Sequence, residues 1–200
     1  MQTDPYPHVI LDDWFDRELL KRIAAEIPDK PGGEGWSRYD NDKERKYGGN
    51  PSTWGPAARS YFASLLSRIT DIETMFGIPR LRMEVVGGGY HVIPPGGRLA
   101  MHTDFNRSPT TGWFRRINCL TFLNENWDDP GGYLMLGEDC EIVIAPEMGR
   151  TVMFATSDRS WHGHPIPTEH RTRKSVAAYF FTHEPPDEYD HEHSTVWMEG

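Results

Sequence analysis

Leu99-Ala-Met-His102-Thr-Asp104-Phe-Asn106 is the stretch on which the reading of this chain turns. Side chains alternate between the two faces of a β-strand, so His102 and Asp104 project to one side and can grip one ion together. An imidazole and a carboxylate so placed are two thirds of a facial metal site, which needs one more ligand and leaves positions open for chemistry. With nine histidines in the chain, a chance His-x-Asp is easy to come by, so the pair needs support from elsewhere. Ser160-Trp-His162-Gly-His164-Pro165 supplies it, with His162 the preferred third ligand and His164 the alternative. Eleven residues past His162, Arg173-Lys-Ser175 opens the apolar run Val176-Ala-Ala-Tyr-Phe-Phe181. Arg173 and Ser175 therefore share a face and aim a guanidinium and a hydroxyl into the interior of a sheet. A buried arginine needs an anion, and a small dicarboxylate fits that need.

Around this stretch the chain reads as β. Leu81 to Val86 alternates, Gly87-Gly-Gly89 and Pro94-Pro-Gly-Gly97 punctuate, and further strands are expected at 90–93, 98–102, 115–123, 133–136, 141–144, 151–154 and 173–182. Short strands separated by turn residues point to a mainly β fold with flanking helices, built on a jelly-roll (cupin-like) core. Upstream, apolar residues at helical spacing predict one helix within Asp12 to Ile27, capped by Asp16, and another over Gly55 to Ile69 with Pro56 in its first turn. From Pro28 to Pro51 no period is sustained, and a long loop or lid is expected. The chain then divides as one domain: helical support over 1–80, core over 81–183 and a polar tail over 184–200. In that tail Trp197 is the only large apolar anchor, and poor order is expected.

Composition narrows the function. A formal charge of −9 leaves no cationic surplus for a phosphate backbone, which argues against nucleic acid as partner. No apolar run of membrane length and no charged-then-apolar leader is present in the sequence, so no membrane partner and a cytoplasmic location are expected. Two cysteines, Cys119 and Cys140, are too few for a disulfide framework or a thiolate zinc site. Gly87-Gly-Gly89 lacks the spacing of a phosphate loop.

The order His-x-Asp, distant His, Arg-x-Ser resembles the Fe(II)/2-oxoglutarate-dependent dioxygenase superfamily, and most closely its prolyl-4-hydroxylase-like branch. The likeness runs through Gly88-Gly-Tyr-His91, Gly97 to Asn106, Arg115 to Trp127, Gly131-Gly-Tyr-Leu134, Ser160 to Pro165 and Arg171 to Thr182, with a weaker echo at Pro7 to Trp14. It implies a double-stranded β-helix fold. It also implies that His102, Asp104 and His162 bind Fe(II), that Arg173 clamps the distal carboxylate of 2-oxoglutarate with Ser175 alongside, and that O2 is consumed with release of succinate and CO2; ascorbate would be stimulatory. Related halogenases carry a small residue where Asp104 stands, so the resemblance points to hydroxylation. Several relatives have a tyrosine at the position of Phe122, its hydroxyl assisting the arginine. Phenylalanine cannot donate that bond, which makes His91 the candidate replacement. Alternation would put Arg116, Asn118, Leu120 and Phe122 on one face, with Asn118 near the cofactor.

Substrate contacts are expected from Asn106, Arg107, Trp113 and Arg115 on the insert after the metal loop, and from Trp36, Tyr39 and Lys46 on the lid. The favoured substrate is a small polar molecule such as an amino acid or natural-product intermediate. The alternatives are peptidyl (prolyl-type) hydroxylation of a protein and, in a different class, a non-catalytic cupin-like protein that binds metal or ligand. A homo-oligomer is compatible with the sequence.

Overall fold

The computed structural model describes residues 1–28, 30–186 and 189–199. In chain order its elements are β1 (His8–Leu11), α1 (Arg17–Glu26), β2 (Trp36–Asp40), β3 (Arg45–Gly49), α2 (Pro56–Ser67), α3 (Ile69–Phe76), β4 (Arg82–Ile93), β5 (Leu99–Thr103), β6 (Phe114–Phe122), β7 (Leu134–Leu136), β8 (Ile142–Ile144), β9 (Thr151–Ala155), β10 (His162–His164), β11 (Arg173–Thr182) and β12 (Val196–Trp197). A major sheet runs β1-β9-β6-β11-β4-β3-β2 and a minor sheet β12-β5-β10-β7-β8, with antiparallel pairing between neighbouring strands. This is the double-stranded β-helix expected from the sequence.

Alternation along β11 explains the layering. Val176, Ala178 and Phe180 turn outward and pack with Leu20 and Ile23 of α1, Tyr61, Phe62 and Leu65 of α2 and Ile72 of α3. Each of the larger aliphatic and phenylalanine side chains among them contributes roughly 1.5–3 kcal/mol relative to exposure. Arg173, Ser175, Ala177 and Tyr179 take the other parity, toward the space between the sheets. Part of that space is filled by Phe122, Leu134, Leu136, Ile144, Val152 and Phe154, drawn from both sheets. What it leaves unfilled is the site.

Several expectations need correction. The stretch from Pro28 to Pro51 is not a structureless lid: β2 and β3 form a hairpin that extends the major sheet, with Tyr47 opposite Val92 and Gly48 opposite His91. Its outer strand is mostly exposed and carries Ser37, Arg38 and Asp40, so it lacks the apolar alternation by which a strand is recognised. Strand β4 runs unbroken through Gly87-Gly-Gly89, its register against β11 shifting between Ala177 and Tyr179. Gly89 has φ 105° there, and a Cβ on it would collide with the carbonyl oxygen of Gly49.

The tail is tied down as far as it is described; Asp187, Glu188 and Gly200 lie outside the described residues. Val196 pairs with Thr103 and Trp197 with His102, and the side chain of Asn106 bonds the backbone of both His191 and His193. No helix among the described residues is long and apolar enough to cross a membrane.

Candidate active site

Strands β5 and β10 are neighbours, and their antiparallel register sets His162 opposite His102. Asp104 follows immediately after β5, so the three side chains converge: one ligand atom from each lies within 4.8 Å of the others. Nε2 of His102 is 3.7 Å from Oδ1 of Asp104, and Nε2 of His162 is 3.3 Å from Oδ2. Both imidazoles are oriented from behind. Nδ1 of His102 sits 2.9 Å from the carbonyl oxygen of Ala100 and Nδ1 of His162 2.8 Å from that of Ser160. A carbonyl only accepts, so Nδ1 carries a proton in each ring, which leaves Nε2, on the triad side, as the atom a metal would bind. Burial first, and then the neighbouring His162, push the His102 pKa down and keep it in the neutral, ligating form.

Asp104 is held as tightly. Nδ2 of Asn118 donates to its Oδ2 at 2.6 Å. Nη2 of Arg115 meets the same oxygen at 3.0 Å as an ion pair, off the angle of a hydrogen bond. Nε of Arg115 donates to Oδ1 of Asn118 at 2.8 Å, and its guanidinium lies 3.6 Å over the ring of Tyr179. Burial opposes ionisation of Asp104, but Arg115, then His162 and His102, outweigh it and hold the carboxyl well below its ordinary range.

This gives Arg115 a different place from the one expected, while Asn118, expected near the cofactor, bonds Asp104 and lines the cavity beside the triad. Arg115 is only 2 % exposed and is committed to Asp104 and Asn118. A bulge explains it: the β6–β11 register shifts so that Phe181 faces Arg115 while Phe180 faces Ile117. Arg116 is thereby turned out to Thr182, 2.9 Å from its Oγ1, and Arg115 joins the interior face with Asn118.

The cavity beside the triad is lined, among others, by Lys46, His91, Asn118, His164, Arg173 and Tyr179. Arg173 is 2 % exposed, its guanidinium carbon 4.9 Å from the Phe122 ring centroid, and its Nε has no partner. Burial without an anion pushes its pKa down to about 9. Oγ of Ser175, opposite both His91 and Phe122 in the sheet, is likewise unpartnered. His91 does not offer the donor that the sequence reading asks of it. Burial and Lys46 push its pKa to about 3, and in the neutral ring the one N–H is used at Nε2, 3.0 Å from the carbonyl oxygen of Gly87. His164 is buried with Nδ1 unpartnered, its pKa held well down by burial and the charge of Arg173; it is not one of the converging triad.

The remaining expected contacts are scattered. Asn106 and Arg107 bond the tail, Arg107 through Glu192 at 3.0 Å. Trp113 lines a separate surface concavity with Arg80, Arg82, His183 and Glu184. Tyr39 is exposed at the edge hairpin, Trp36 stacks on Tyr90, and Lys46 lines the cavity while paired to Glu44 at 2.8 Å. Residues missed in the sequence are Tyr179 and Trp197, whose ring centroid is 5.1 Å from that of His102. Their signal was only an aromatic identity within an apolar strand and a polar tail.

Residues 88–181, from the middle of β4 to the penultimate residue of β11, match the family model of the 2OG-Fe(II) oxygenase superfamily. The matched segment, which carries His102, Asp104, His162 and Arg173, is that of the Fe(II)- and 2-oxoglutarate-dependent dioxygenases, whose chemistry uses Fe(II), 2-oxoglutarate and O2. No curated protein sequence matches the chain. Solved structures do. A Pseudomonas putida prolyl-4-hydroxylase superposes with TM-score 0.66 at 19% identity, over 87% of this chain and 91% of that one. A Trichoplax adhaerens prolyl hydroxylase, solved with a hypoxia-inducible-factor peptide fragment, gives 0.65 at 17% over 87% and 83%. A viral collagen prolyl hydroxylase from Paramecium Bursaria Chlorella virus-1, solved with 2-oxoglutarate, gives 0.62 at 14% over 90% and 98%. At these identities the likeness is one of fold.

The residues present fit the two cofactors. Three neutral or anionic ligand atoms converge with their outer atoms already bonded, and a buried guanidinium and hydroxyl wait nearby without an acceptor.

Proposed function

We propose that this chain hydroxylates an unactivated C–H bond of a small polar substrate, such as an amino acid or natural-product intermediate, converting 2-oxoglutarate and O2 to succinate and CO2. In this reading His102, Asp104 and His162 hold Fe(II), and Arg173 with Ser175 binds the distal carboxylate of 2-oxoglutarate. The bound metal and 2-oxo acid together supply the activation of O2. The protein's share is to orient three ligands, fix the co-substrate by its far end and cover the reacting edge. The observation that carries the reading is the pairing of a preformed triad with the unpartnered Arg173 and Ser175 in one interior. A cupin-like binding protein would have no use for that arginine. The helices and both sheets share packed surfaces, which supports treating the chain as one oxygenase domain.

A small substrate is supported by the tail, which pairs along β5 beside His102 and pins the insert at Asn106 and Arg107. The second reading, a peptidyl prolyl-type hydroxylase, is supported by the prolyl hydroxylases that share the fold. One assay separates them. Protein supplied with Fe(II), ascorbate and 2-oxoglutarate is offered free amino acids in one panel and proline-containing peptides in another, and succinate is measured. Stimulation by the first panel is expected. Stimulation by peptides alone would establish the second reading, and no substrate-dependent succinate in either would return the chain to the binding-protein class.

A further inference from the structure

Among the described residues, Nε of Arg173, Oγ of Ser175 and Nδ1 of His164 are buried polar atoms with neither a hydrogen bond nor an ion pair. Arg173 and His164 are each 2 % exposed and line the same cavity, and Ser175 is two residues along β11 on the face of Arg173. Buried polar atoms are nearly always satisfied, and each one left bare is costly, so orphans gathered in one place mark a missing acceptor. All three are donors or can act as donors, which makes the missing group an anion with several lone pairs.

We infer that His164 is a co-substrate specificity residue, its Nδ1–H donating to the same distal carboxylate that Arg173 and Ser175 hold. The inference rests on the proposed 2-oxoglutarate site and adds a residue to it. A carboxylate has about four lone-pair sites, enough for a guanidinium, a hydroxyl and an imidazole at once. The other neighbours of Arg173 do not supply the third bond. Phe122 flanks the guanidinium with a ring that carries no donor. The His91 N–H points to the Gly87 carbonyl, and the Lys46 ammonium is paired to Glu44. Of the two imidazoles that line the cavity outside the triad, His164 is the one with a free buried nitrogen. His164 lies two residues from His162 on β10 and lines the same cavity as Arg173.

The test compares two 2-oxo acids on the full chain loaded with Zn(II): 2-oxoglutarate, and 2-oxopentanoate, which has the same carbon count but no distal carboxylate. Binding is measured by calorimetry. His164→Leu is expected to weaken 2-oxoglutarate about tenfold or more, as for loss of a hydrogen bond to a charged group, and to leave 2-oxopentanoate unchanged. His164→Asn, which can keep an N–H near the position of Nδ1, is expected to recover most of the loss. Wild-type protein gives a readout independent of folding of the variants: the ¹⁵N resonance of His164 Nδ1 should move on adding 2-oxoglutarate and stay on adding 2-oxopentanoate. Equal effects of His164→Leu on both acids, or a resonance blind to 2-oxoglutarate, would overturn the role of His164. Arg173→Leu separates the two claims. If it weakens 2-oxoglutarate selectively while His164→Leu does not, only the His164 inference falls; if it leaves 2-oxoglutarate binding intact, the proposed carboxylate site falls with it.

Discussion

The two ends of the cavity are finished to different degrees. At the metal end, His102 and His162 have their outer nitrogens on backbone carbonyls, and Asp104 is gripped by Asn118 and Arg115. At the other end, Arg173, Ser175 and His164 each keep a buried atom without a partner. The first end is complete within the fold and holds its ligand atoms in place before anything binds. In the proposed site the second is completed by the anion it takes up, and the cost of burying its polar groups stays with the protein until then. Preorganisation at one end and latent binding energy at the other is a sensible division. A metal needs fixed geometry, whereas a co-substrate consumed in each turnover needs affinity that its departure can release.

Removing Asp104 should break this contrast most severely. Asp104→Ala leaves Arg115 buried without its carboxylate, and loss of one partner of a buried pair costs on the order of 3–5 kcal/mol. Lower thermal stability, no bound iron by metal analysis and no succinate are expected together. Arg173→Leu should act in the opposite sense on the ligand-free fold: deleting an unpartnered buried cation is expected to leave the melting temperature equal or higher. Iron is retained while the 2-oxoglutarate requirement rises sharply. A fall in melting temperature comparable to that of Asp104→Ala would erase the distinction.

Arg115→Gln is the next smaller effect. It removes the charge behind Asp104 but spares the ligands, so metal affinity should drop roughly 10–100-fold, the range for partners behind a metal ligand, and titration with Co(II) followed by its visible spectrum would register it.

The smallest effect concerns how the arginine end is anchored. Asp129 accepts backbone N–H bonds from Gly131, Glu169, His170 and Arg171, fixing the loop that leads into Arg173. Burial opposes ionisation, yet these amides bring its pKa down to about 2. An unfolded aspartate titrates near ~3.9, so the bound carboxylate contributes its full stability above that pH and loses it as pH falls toward 2. Asp129→Asn should lower stability at neutral pH and flatten the acid limb of an unfolding profile. A wild-type profile flat between those values would show that the cradle contributes little.

Much of this architecture is legible in the sequence because it rests on local periodicity. Strand β11 spans Arg173–Thr182 as its apolar run indicates, and Asp16 caps α1 by accepting from the amide of Leu19. His-x-Asp and Arg-x-Ser are local two-residue alternations. What escapes is what pairing decides. The three-residue β10 and two-residue β12 are too short to show a period and exist as strands only through their partners, β5 and β7 for the first and β5 for the second. The exposed β2 carries no apolar signal. The reach of Arg115 to Asp104 depends on a bulge opposite Phe180 and Phe181, so strict alternation assigns Arg116 to the interior instead. His91 and His164 cannot be ranked until the carbonyl of Gly87 is seen to occupy the first of them.

The triad and Arg173 are proposed to hold one co-substrate from opposite ends, through the metal and through its distal carboxylate. Anaerobic titration of the Fe(II)-loaded chain with 2-oxoglutarate tests it most directly, through the visible charge-transfer absorption that a 2-oxo acid gives on chelating ferrous iron. A saturable band is expected in wild-type protein, the same band at much higher 2-oxoglutarate in Arg173→Leu, and none in Asp104→Ala. A wild-type protein with no band, or an Arg173→Leu titration that overlays the wild type, would contradict it.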